Sequence, residues 1–140
     1  MATVSDSRLF QGSFFRFRYL TNWQHEIIED VACFFRADSG GVLQIAASRL
    51  AAGSLDLKAQ IRAYLQRNQI DGHQAELFEY QTTRGIPAIA CEYWHQDRFW
   101  LVQFLGSQDR LLIVLYNGDE VPESDLAREI STMLASIEFI

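Results

Sequence analysis

Residues 88–117 hold three consecutive runs with apolar residues on both faces, separated by the polar turns His95-Gln96-Asp97-Arg98 and Gly106-Ser107-Gln108-Asp109. Period-two alternation of side chains reads these runs as strands, and the short turns fold them into two hairpins. A two-residue turn at Gln96-Asp97 pairs Trp94 with Phe99, Glu92 with Leu101 and Ala90 with Gln103. Ile89, Cys91, Tyr93, Trp100, Val102, Phe104, Leu111, Ile113 and Leu115 then share a face that is almost wholly apolar and is expected to be core. The opposite face is mixed: Glu92, Trp94, Phe99, Leu101, Gln103, Leu112, Val114 and Tyr116.

The same alternation predicts strands over 14–19, 25–28, 31–36, 42–48, 76–81 and 86–95, with a short terminal strand over 136–140. Asp38-Ser39-Gly40-Gly41 reads as a tight turn whose glycines accept positive φ. Leu57, Ile61, Tyr64 and Leu65 fall on one side of a helix, with Ser54 as its cap and Gly72 as its stop. Leu126, Ile130, Met133, Leu134 and Ile137 form the stripe of a second helix that begins around residues 122–125, where Glu123 and Asp125 suit the positive end of the dipole. The order strands, helix, strands, helix predicts an α+β fold, an antiparallel sheet flanked by two α-helices. One domain is expected over 8–140, with residues 1–7 a flexible N-terminus.

Composition changes the picture mainly by exclusion. The 140 residues are 49% hydrophobic and 21% charged, which is ordinary for a folded domain. A net charge of −6 works against nucleic acid, which is usually met by a basic patch. No run approaches the ~20 apolar residues that span a bilayer, and no charged-then-hydrophobic leader opens the chain, so a cytoplasmic location is expected. Arg16 and Arg18 share a strand face that is expected to be solvated. Cys33 and Cys91 lie in apolar strand patterns and are expected to be buried free thiols.

An aromatic opening run with a Trp (Phe15, Phe17, Trp23) leads through a Gly-Gly turn into Gly41-Val42-Leu43-Gln44-Ile45. A mid-chain helix, three hairpin strands and a closing Leu134-Ala135-Ser136-Ile137-Glu138-Phe139 follow. Over residues 14–139 this organisation resembles the PsbP-like superfamily. The resemblance implies an α/β/α sandwich around an antiparallel sheet. It also implies relatives that include photosystem extrinsic subunits, an import factor that binds the Ran GTPase, and bacterial type VI secretion effector chaperones.

Reactive side chains are scattered. Asp38-Ser39-Gly40-Gly41 echoes a serine-protease nucleophile motif, but that chemistry needs a His base, an acid and an oxyanion hole on a longer scaffold. Cys91 and His95 share a face about 13 Å apart, too far for one metal, so no metal and no cofactor are expected. His95, Asp97 and Glu92 are the nearest approach to an acid/base cluster, and carry the alternative of a small hydrolase or ligand-binding protein. The leading expectation is a non-catalytic protein-binding module, an adaptor, effector chaperone or inhibitor. Glu92, Trp94, Phe99, Leu101, Gln103 and Tyr116 would meet another protein or a second copy of the chain, because aromatics dominate interface hot spots.

Overall fold

The structure is a computed structural model that describes residues 7–38, 40–50 and 55–140. Within them the chain runs β1 (Ser7–Gln11), β2 (Phe15–Leu20), β3 (Trp23–Ile28), β4 (Val31–Arg36), β5 (Val42–Arg49), α1 (Leu57–Arg67) and β6 (Phe78–Gln81). It continues through β7 (Pro87–His95), β8 (Arg98–Ser107), β9 (Arg110–Gly118), α2 (Ser124–Ala135) and β10 (Glu138–Phe139). The expected α+β class holds, and every strand pair is antiparallel.

Two local meanders, β3-β4-β5 and β6-β7-β8-β9, join through β5 and β9 into a seven-stranded sheet of order β3-β4-β5-β9-β8-β7-β6. The hairpin registers follow the turns. Gln96 and Asp97 sit at φ 54° and 62°, and Glu29 and Asp30 at 50° and 67°, the pair of positive angles that a twist-matched two-residue hairpin requires. Trp94 accordingly lies opposite Phe99, Glu92 opposite Leu101 and Ala90 opposite Gln103.

A second sheet of order β1-β2-β10 stands apart from the first. Its first strand begins at Ser7, within the stretch expected to be flexible, and Phe10 is the large side chain that ties it to the core. Only Phe10 faces inward with any bulk, so Ser7–Gln11 carries no clear alternation. Arg16 of β2 is not simply solvated, for it pairs with Glu138 of β10, which also lies 3.5 Å from Arg84.

Asp56, not Ser54, caps α1: its carboxylate accepts the Ala59 amide at 3.1 Å, whereas Ser54 lies outside the described residues. The helix ends at Arg67, before Gly72, because Asn68 turns its side chain back to the Tyr64 carbonyl and Gln69 takes a left-handed φ of 61°. Gly40 and Gly41 likewise do not adopt positive φ. Gly41 is needed for closeness, since a Cβ there would lie 2.0 Å from the Tyr116 hydroxyl. Ser39 of that turn is outside the described residues.

The helices take opposite faces. Ile61 and Leu65 of α1 pack on Ile89, Cys91, Tyr93, Val102 and Phe104. Leu126, Ile130, Met133 and Leu134 of α2 join the small sheet over Phe34, Leu43, Ile45, Leu112, Val114 and Tyr116. Phe17 meets Phe34 edge to face at 4.9 Å, an arrangement that contributes about 0.5–1.5 kcal/mol beyond burial and locks the two sheets together.

Candidate functional site

The mixed face is the one that α2 crosses, and the helix position decides which of its residues meet solvent. Glu129 near the middle of α2 accepts the Trp23 indole N–H at 2.8 Å and lies 3.6 Å from Arg36. Toward its end, the Ala135 carbonyl accepts the Thr83 hydroxyl at 2.6 Å. The first ties fix the middle of α2 to β3 and β4 and the last fixes its end to the β6–β7 loop, while its apolar stripe packs over β4, β5 and β9. The β6-β7-β8 side of the same face is left partly uncovered, as a groove of about 420 Å³.

Phe78 and Tyr80 from β6, Glu92 from β7, and Leu101 and Gln103 from β8 line the groove, with Leu134 and Ala135 of α2 as the opposite wall. Gln103 is buried and its side-chain oxygen accepts the Tyr80 hydroxyl, so the floor is polar but satisfied. Burial raises the Tyr80 phenol above its ordinary range, and the bond to Gln103 opposes that shift. Glu92 is exposed. Trp94 stands two residues further along β7 on the same face, 49% exposed, its ring edge-on to Phe99 at 5.9 Å.

The six residues expected to contact a partner therefore divide. Glu92, Leu101 and Gln103 line the groove and Trp94 flanks it. Phe99 and Tyr116 are 4% and 2% exposed, taken into the core beneath Trp94 and α2, and are not presented to another molecule. Phe78, 51% exposed on the edge strand, and Tyr80 belong to the site but were not singled out from sequence. The alternation in Phe78-Glu79-Tyr80-Gln81 carried the signal, because Phe78 lies opposite Ala90 and so shares the face of Glu92 and Trp94.

The acid/base alternative fails on geometry. Glu92 and His95 are an odd number of residues apart in one strand and so project from opposite faces of the sheet. Asp97 occupies the hairpin turn. Glu92 lines the groove beside α2 without His95 or Asp97, and among the described residues no group of three His, Cys, Asp or Glu is arranged for a metal. Cys91 is buried and its thiol is pushed up to about 11 by desolvation and then by neighbouring Glu92, which leaves it protonated and unreactive at neutral pH.

A further cleft of about 370 Å³ lies where α2 begins, between Arg36, Asp38, Gly41, Tyr116, Asp119 and Leu126. Asp38 pairs with Arg36 at 2.7 Å and Asp119 with Arg98 at 2.8 Å. The guanidinium bond holds the Asp38 carboxyl below its ordinary value. These carboxylates are thus committed within the molecule.

No protein-family model matches the chain, and no curated protein matches it by sequence. Solved structures do. A crystal structure from Bacteroides thetaiotaomicron aligns over 96% of this chain with a TM-score of 0.61 at 18% identity. The chain spans 48% of the length of that protein. The solution structure of cyanobacterial PsbP from Synechocystis aligns over 99% of this chain and 95% of its own length, with a TM-score of 0.69 at 12% identity. No helix among the described residues is long and apolar enough to cross a membrane. At such identities the likeness is one of architecture, and the chain has a PsbP-like fold.

Proposed function

We propose that this protein is a non-catalytic protein-binding module, of the adaptor, effector-chaperone or inhibitor kind, and that it binds its partner in the groove beside α2. One observation carries the reading. Trp94 and Phe78, both about half exposed, stand on the same sheet face as an open groove whose floor is formed by Leu101 and the Tyr80–Gln103 pair. Half-exposed aromatics flanking a depression, with polar groups already satisfied inside it, are the arrangement that anchors protein interfaces. Reactive groups do not converge there, since Glu92 is the one titratable carboxylate of the lining.

The test is affinity capture from native lysate at modest salt with wild type, Trp94→Ala and Phe78→Ala. Both variants are expected to keep the wild-type melting temperature, because each side chain is already half in water, and to lose the captured partner. Folded variants that capture the same proteins as wild type would overturn the groove as the binding site.

A further inference from the structure

Resting on that reading, we propose that the partner binds by adding a strand to β6, and that the added segment is basic, with a Lys or Arg between two apolar residues. β6 is the terminal strand of the seven-stranded sheet, bonded to β7 on one side. The Thr82 amide donates to the Ile86 carbonyl at 3.0 Å, and bonded pairs recur every second residue in an antiparallel ladder. Phe78 and Tyr80 therefore bond inward to Ala90 and Ala88, while the N–H and C=O groups of Glu79 and Gln81 point outward from the sheet edge.

Both sides of that edge are hollow. On the α2 side is the groove of about 420 Å³. On the α1 side a second cavity of about 310 Å³ is lined by Leu57, Glu79, Gln81, Pro87 and Ile89. Strand addition uses such a pair of spaces, because successive side chains of an added strand point to alternate faces while its backbone bonds to the edge.

Charge selects the occupant. Glu92 lies in the first cavity and Glu79 in the second, and neither lining contains a basic side chain. A residue paired opposite Glu79 projects to the α1 side, where Lys or Arg makes a favourable cross-strand pair. Residues opposite Phe78 and Tyr80 project into the groove, where Leu101 and Leu134 favour apolar groups. The resulting motif, apolar-basic-apolar, reads the same in parallel and antiparallel directions.

The probe is a short synthetic peptide alternating valine and lysine, titrated into the full chain. Hydrogen exchange is followed at the Glu79 and Gln81 amides, and binding by fluorescence anisotropy. Saturable binding that slows exchange at both amides at least tenfold is expected. Glu79→Pro, which places a residue without an N–H at an edge position that tolerates one, is expected to abolish binding. Glu79→Gln should weaken it about threefold, the size of one cross-strand charge pair. A peptide N-methylated at its edge-facing amides should not bind, which tests the strand without altering the protein. If the peptide binds and Trp94→Ala weakens it, but both amides stay unprotected and Glu79→Pro binds as wild type, strand addition is wrong while the groove survives. No binding of the peptide, or equal binding by an alternating valine-glutamate peptide, also overturns the basic-strand assignment. Loss of capture by Trp94→Ala continues to test the groove separately.

Discussion

The two faces of the large sheet exchange the roles that their composition suggests. The face of Ile89, Cys91, Trp100, Val102, Ile113 and Leu115 is almost wholly apolar. Yet α1 covers only its β7-β8 half, and Trp100, Ile113 and Leu115 stay partly exposed. The mixed face, carrying Glu92 and Gln103, lies under both α2 and a second sheet, and Phe34, Leu43, Leu112 and Val114 on it are fully buried. Greasiness is therefore a poor guide to cover. Connectivity decides it: α1 is the crossover from β5 to β6 and lands near β7 and β8, whereas the C-terminal stretch brings α2 and β10 together over the other face, against β2.

The strongest test of this contrast lies at the sheet-to-sheet contact. Phe34→Ala removes a side chain with no exposure that meets Phe10, Phe17 and Tyr19, and should cost about 3–5 kcal/mol in urea unfolding. A loss below about 1 kcal/mol would mean that the small sheet is not joined to the large one in solution. Tyr116→Ala belongs to the same class, so it reports on folding and is unsuitable as a probe of partner contact.

The covered and open halves of the α1 side can be set against each other. Ile61→Ala, fully buried under the helix, is expected to lose about 2–5 kcal/mol. Ile113→Ala, already partly in water, should lose about 1 kcal/mol or less, because less area leaves solvent on folding. Equal losses would show that something covers β9 in solution. Trp100 of β8 adds a local signature to this face: among the described residues its buried indole N–H meets no acceptor, a state that carries a desolvation cost.

The smallest expected effect concerns β10. The bond from Arg16, followed by the charges of Arg16 and Arg84, holds the Glu138 carboxyl below its ordinary 4.5. A depressed folded value means that the contribution is in place above pH 4.5 and is lost as pH falls below it. The midpoint of thermal unfolding should therefore drop on acidification from about pH 6 to about pH 3, and Glu138→Gln should drop less over that range. An identical acid profile for the two proteins would remove the pairing of β10 with β2 from the account of stability. The pair is only partly buried and still meets solvent, so the effect is small.

Local chemistry was legible from the chain. The Gln96-Asp97 turn specified the β7–β8 register, and the spacing of Ile61 with Leu65, and of Leu126, Ile130, Met133 and Leu134, identified the buried stripe of each helix. Capping and stopping were less legible: the cap is Asp56, two residues nearer the helix than Ser54, and the chain turns away at Asn68 and Gln69 before it reaches Gly72. Of the groove, Glu92, Trp94, Leu101 and Gln103 were recoverable as one face of a hairpin. Phe78 and Tyr80 share an alternation that marks one strand face, but which face of the hairpin it joins depends on the turn at residues 82–86 that pairs Phe78 with Ala90.

Period and turn type act between neighbours, so the sequence by itself determined strand faces, hairpin registers and helix stripes. The pairing of β5 with β9, the second sheet, the choice of face by each helix and the burial of Phe99 and Tyr116 depend on contacts among residues distant along the chain. Those contacts were decided only when all the apolar faces competed for cover at once. The groove exists because α2 is tied near its middle to Trp23 and Arg36 and at its end to Thr83 beyond β6, leaving a gap between the helix and the β6-β7-β8 surface, a constraint of assembly that no single stretch of sequence contains.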